Sequence, residues 1–253
     1  MIYGCRDWGN DFDEIVACTF MCSSISVFFA NTQVFSSVAN NYGPYTTQQM
    51  VLNQAAWNQQ YYDWNTVFYV GHSQIDQISA PQHLTVYMNS HPTPPDLIDY
   101  QIYPNTSEGD HHFVCWWSCG SANYIGSGSP SPWQLAYCWT HNTQLSSDGY
   151  SNPWSIGNPP TCFIGFQYGS KPLSDIDPNG AIYNYADFVE KFYYYAVYDH
   201  QTLNDALDLA AKYVMGDDEA TLGSLELKQG YYVGDQWSYI RVFGNGELVI
   251  PYT

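Results

Sequence analysis

Two short stretches constrain this chain more than any other feature: TVFYV at Thr66 to Val70 and HFVCWW at His112 to Trp117. Both run through β-branched, aromatic and aliphatic residues without the polar alternation that a strand with one wet face shows. Such strands suit a sheet covered on both sides, which means parallel strands flanked by helices. Each run stops abruptly in a turn of small residues, Gly71-His72-Ser73 after the first and Ser118-Cys119-Gly120 after the second.

The rest of the chain supplies matching elements. Met1 to Cys5 and Thr161 to Gln167 read as further strands, and TVYM at 85 to 88 as one that intervenes between the two central runs. TTQQMVLNQAAWNQQYYDW predicts a helix opened by a Thr cap. From Asp13 the dense apolar residues predict a buried helix that passes into a strand around Ser26 to Phe35. Two more helices are expected over Ala186 to Tyr198 and Leu203 to Val214, where Ala206, Leu207, Ala210 and Ala211 stand at helical spacing. Strands alternating with helices predict an α/β fold with a mainly parallel sheet and helices on both faces. We read 1–253 as a single domain, with an irregular Gly-, Ser-, Pro- and Trp-rich insertion at about 126–160. Gly244-Asn245-Gly246 lies between alternating segments and predicts a C-terminal β-hairpin over about 230–253.

Charge narrows the partners. Asp and Glu number 24 against 6 Lys and Arg, a formal net charge of -18. That field repels phosphate backbones and anionic lipid, so neither nucleic acid nor a membrane surface is expected as partner. The longest apolar stretch, Ile15 to Ala30, is short for a span, which needs about 20 apolar residues, and no basic leader precedes it as in a signal peptide. Polarity comes mainly from Asn, Gln, Ser, Thr and 24 tyrosines, a surface that reads as extracellular or cell-surface. Seven cysteines, at 5, 18, 22, 115, 119, 138 and 162, allow up to three bridges or a set of reduced, buried thiols.

The carboxyl ends of parallel strands form the ligand crevice of such sheets, so residues just past neighbouring strands project into one cleft. His72 and Cys119 stand at those two positions. A free thiol, with a pKa of about 8.5, is mostly protonated in neutral water and needs a base beside it to act as a nucleophile. An imidazole supplies that base and later returns the proton to a leaving amine.

His72 precedes Cys119 by 47 positions, close to the separation of about 50 known from caspases. In VFYVGHS and HFVCWWSCGSA the chain resembles the caspase, legumain, gingipain and clostripain group of cysteine peptidases. The resemblance covers Met1 to about Phe166, with CFIGF and the later helices similar to the closing part of bacterial and archaeal relatives. It implies a caspase-like three-layer fold, peptide-bond hydrolysis through a thioester, peptide or protein substrates, and no cofactor or metal. It further implies His72 as base, Cys119 as nucleophile, and an oxyanion hole formed by the amides of Ser73 and Cys119. Relatives usually place Gly directly after the His, where this chain has Ser73, and Ala before the Cys, where it has Ser118. Arg6 corresponds to an arginine that grips an acidic substrate side chain in some relatives; a salt bridge to Asp11 or Asp13 is its structural alternative.

Other readings stay open. Cys119 is alternatively a buried thiol or half of a disulfide with Cys138 or Cys162. Cys115 is expected in the core. His111 and His112, beside Asp110, are expected on a solvated loop rather than around a metal. Trp116, Trp117, Trp133, Trp139 and Trp154 line either a substrate groove or the core. The aromatic-rich, charge-poor composition also suits an extracellular structural protein that keeps the scaffold and self-assembles into a sheath or fibre.

Overall fold

The computed structural model describes residues 2–4, 12–32, 34–35, 38–42, 46–75, 83–88, 95–122, 135–141, 161–166, 169–170, 173–176, 182–215, 225–227 and 238–251. Its strands are β1 (Ile2–Gly4), β2 (Asn40–Tyr42), β3 (Asn65–Val70), β4 (Ser73–Ile75), β5 (Leu84–Val86), β6 (Leu97–Ile98), β7 (His111–Trp117), β8 (Cys162–Phe166), β9 (Ser174–Ile176), β10 (Ile182–Asn184), β11 (Leu225–Leu227) and β12 (Ser238–Gly244). The helices are α1 (Phe12–Asn31), α2 (Gln48–Tyr61), α3 (Leu135–Thr140), α4 (Tyr185–Val197) and α5 (Leu203–Met215).

Seven strands form one sheet in the order β11-β12-β8-β7-β3-β1-β2. The five from β8 to β2 run parallel, and β12 and β11 extend the sheet antiparallel. The chain is thus a mixed α/β protein with a mainly parallel central sheet.

Every residue of β3 and β8 is buried, because the sheet is covered on both faces. Phe68, Val70, Phe113, Cys115 and Trp117 pack with the buried stripes of α1, α4 and α5. Their alternates Val67, Tyr69, Val114 and Trp116 pack with α2 and α3. Tyr69 stacks on Trp116 across the β3–β7 pair, ring centroids 4.3 Å apart, and Trp117 meets Phe166 edge-on at 4.7 Å. The expected helix after Thr47 begins there, with the Thr47 hydroxyl accepting from the Met50 N–H at 3.3 Å.

Three expectations are corrected. The strand around Ser26 to Phe35 is absent, since α1 continues to Asn31. Its buried residues Cys18, Met21, Cys22, Ile25 and Phe29 recur at three- and four-residue steps, so β-branched Ile25 serves a helical stripe instead. By length and composition α1 is apolar enough to cross a membrane, yet it lays that stripe on the sheet and leaves Phe20 and Val27 outside. Second, the strand expected at TVYM forms, over Leu84–Val86 rather than 85–88, and lies outside the main sheet. It is β5, the centre of a separate antiparallel sheet with β4 and β6. Third, the two arms around Gly244-Asn245-Gly246 do not pair as a hairpin. β12 runs beside β8, and the following segment turns along the start of α5, where Leu203 and Asn204 donate to Leu248 and Gly246. The parts of the proposed insertion at 126–134 and 142–160 lie outside the described residues, and α3 between them packs into the core.

Candidate functional site

β1, β3 and β7 end level with one another, for Gly4 pairs with Val70 and Val70 with Trp117. The Gly71 N–H donates to the Trp117 carbonyl at 3.1 Å, which keeps the two central strands together one residue further. His72 and Cys119 each follow two residues after the Val70–Trp117 pair. They therefore emerge at the same edge of the sheet, from adjacent strands.

Beyond Gly71 the chain enters β4, and the Tyr87 N–H donates to the His72 carbonyl at 3.0 Å. That bond makes residues 72 and 87 a hydrogen-bonded pair of the β4–β5 ladder, so Ser73 and Val86 form the next, non-hydrogen-bonded pair, whose N–H groups point away from each other. The Ser73 amide accordingly faces away from β5. Its hydroxyl lies 2.8 Å from that of Ser118 and donates to the Cys119 carbonyl. The turns after β3 and β7 are thereby laced side chain to backbone.

The end of β7 is held from its other side as well. Gly120 has φ +67°, and a Cβ there would stand 3.0 Å from Ile75 Cδ1, so glycine permits both the left-handed backbone and the close approach. Ser121 Oγ bonds the Trp116 and Ser118 carbonyls at 2.8 Å and accepts the Phe166 N–H at 2.9 Å. Gly165 admits this hydroxyl, since a Cβ would come within 2.7 Å of it. The apolar run ends at Cys119 because the backbone reverses there, braced by β4 on one flank and β8 on the other.

Cys119 is half-buried, and its sulfur accepts the Ser170 N–H at 3.3 Å, with the Ser170 hydroxyl at 3.5 Å. Cys115, on the same strand, lies in the core as expected, and burial pushes its thiol up to about 12. Burial likewise pushes Cys138 and Cys162 upward. None of Cys18, Cys22, Cys115, Cys119, Cys138 and Cys162 forms a disulfide. The alternative of a disulfide from Cys119 to Cys138 or Cys162 is thus not realised. Cys162 sits level with Phe113, toward the far end of β7, and the Cys138 carbonyl accepts from Thr106, in the loop that leads into β7.

His111 and His112 open β7 and form no solvated loop. His111 is fully buried with its ring edge-on to Trp139, centroids 5.1 Å apart, and burial lowers it to about 3. His112 stacks on Trp64 at 4.2 Å. Among the described residues no three His, Cys, Asp or Glu side chains are grouped to hold a metal ion. Trp116, Trp117 and Trp139 belong to the core. Arg6, Trp133 and Trp154 lie outside the described residues.

Sequence reasoning missed Ser170 and Ser121. Ser170 follows the end of β8 by four residues, so the rule that segments leaving parallel strands converge at one edge was the available signal. No known protein-family model matches this chain, and a comparison with curated proteins likewise finds no match.

Proposed function

We propose that the chain is a cysteine peptidase of the caspase-like superfamily that acts outside the cell or at its surface on peptide or protein substrates. The observation that carries this reading is the shared edge: His72 and Cys119 stand two residues beyond the register pair Val70 and Trp117. A mainly parallel sheet with helices on both faces supports the caspase-like assignment.

In this reading His72 takes the Cys119 thiol proton as the sulfur attacks the scissile carbonyl carbon. The amides of Ser73 and Cys119 hold the oxygen on which charge develops. Collapse of the intermediate breaks the C–N bond, and the imidazolium gives its proton to the leaving amine. Water, deprotonated by His72, then cleaves the thioester, releasing the acid and restoring the thiol. Ser170 positions the sulfur, and Arg6 is assigned to an acidic substrate side chain.

Labelling tests the reading. An acyloxymethyl ketone or iodoacetamide probe is expected to modify Cys119 in the folded protein, located by peptide mass spectrometry. Labelling is lost in Cys119→Ala and slows by about 100-fold in His72→Ala. A folded wild type that resists the probe, or a Cys119 whose labelling ignores His72, overturns it.

A further inference from the structure

At the opposite end of the sheet, where β1 and β3 begin, lies a cavity of about 400 Å³. Its size falls within the range of about 300–1,000 Å³ typical of small-molecule sites. Five aromatic residues, Phe29, Phe35, Tyr61, Tyr62 and Trp64, line it together with Asp63; the Trp64 ring also stacks on His112 and the Tyr61 ring lies against Trp57. Among the described residues no Lys, Arg or His lines it. Asn65, also on the wall, has both amide hydrogens engaged, with Nδ2 donating to the Tyr62 carbonyl at 3.2 Å and the Asp110 carbonyl at 3.0 Å. What it can offer the cavity is therefore its Oδ1, the negative end of its dipole.

Aromatic rings carry negative charge on their faces and attract cations that shed their water readily. A quaternary ammonium is such a cation, with methyl groups for the apolar wall and no N–H demanding an acceptor. The chain's net charge of -18 raises the local concentration of cations and repels anions. A neutral ligand would gain nothing from that field, and from Asp63 only a hydrogen bond.

We propose that this cavity binds an organic cation of the quaternary ammonium class, separately from the thiol edge. Whether the group is free or carried on a peptide is read by using choline and trimethyllysine as separate arms.

The test is calorimetric titration of the full chain with choline, with trimethyllysine, and with 3,3-dimethylbutanol, the uncharged isostere of choline. At least one ammonium is expected to bind about tenfold more tightly than the alcohol. Asp63→Asn and Tyr61→Leu, both at exposed positions, should each weaken the ammonium several-fold and leave the alcohol unchanged. Equal affinity for alcohol and ammonium, no ammonium binding, or preferential binding of a methyl glycoside overturns the proposal. Because Cys119→Ala should bind choline as the wild type does, failure of the peptidase reading leaves this one standing.

Discussion

The two ends of the β3–β7 pair share strands, register and burial, yet they present opposite surfaces. At the carboxyl end the side chains are Ser73, Ser118, Gly120 and Ser121, small enough for hydroxyls to lace backbone to backbone and for an N–H to approach the Cys119 sulfur. At the amino end rings crowd together: Trp64 on His112, His111 against Trp139, and a cavity walled by aromatics. The comparison teaches that bulk sets what an edge of a sheet can do. Small residues let hydroxyls and an N–H reach the backbone and the Cys119 sulfur; large ones leave a hollow between them.

The same contrast exists within one strand and yields the largest expected effect. Cys119→Ala should abolish probe labelling among the six described cysteines, while Cys115→Ala should leave it within twofold, because burial keeps Cys115 protonated and unreachable. Labelling kinetics followed by mass spectrometry separate the two. A probe that modifies Cys115 in the folded protein would break the contrast between edge and core.

At the amino end acid is the lever. His111 titrates at about 3 in the folded chain against about 6.5 unfolded. Above the unfolded value the two states hold the same protons and His111 adds no pH dependence. As pH falls from about 6.5 toward 3, the unfolded chain binds a proton that the folded one refuses, so stability declines by up to about 1.4 kcal/mol per pH unit. His111→Leu should therefore narrow the stability difference between pH 7 and pH 5 by about 2 kcal/mol, measured by urea unfolding at both. An unchanged difference would show that the folded protein opens this end to protons.

Smaller effects sharpen the description of the carboxyl end. Gly120→Ala forces a side chain into a left-handed backbone and against Ile75, for a cost of about 1–2 kcal/mol. It should also slow labelling of Cys119, since the turn must shift. Ser73→Ala removes the hydroxyl that bonds the Cys119 carbonyl and Ser118. About 1 kcal/mol of stability should be lost in urea unfolding, with a several-fold slower probe reaction. Equal labelling rates in wild type and Ser73→Ala would remove the lacing from any part in presenting the sulfur.

Legibility in the sequence followed physical locality. β3, β7, β8, α2, α4 and α5 were readable because both-face burial writes continuous apolar runs, and one-face burial writes helical stripes, into consecutive residues. α1 misled because a long helix buried along one side and apolar on the other, at Phe20 and Val27, offers no period to distinguish it from a helix followed by a strand. Gly244-Asn245-Gly246 misled for a different reason. A turn signal says that the chain bends, and β12 found its partner in β8 rather than in the segment beyond the bend. The burial of His111 was equally invisible, since it depends on Trp139 arriving from α3.

By itself the sequence determined that two wholly apolar strands end in turns carrying an imidazole and a thiol, because those properties reside in runs of neighbouring residues. Only the tertiary structure decided that the two strands lie side by side in a register that brings both turns to one edge, that Ser170 reaches the sulfur, and that aromatics far apart in the chain wall a cavity at the other end. Register and strand order arise from packing among segments 46 to 49 residues apart, and no local pattern encodes which distant surface will fill a given hollow.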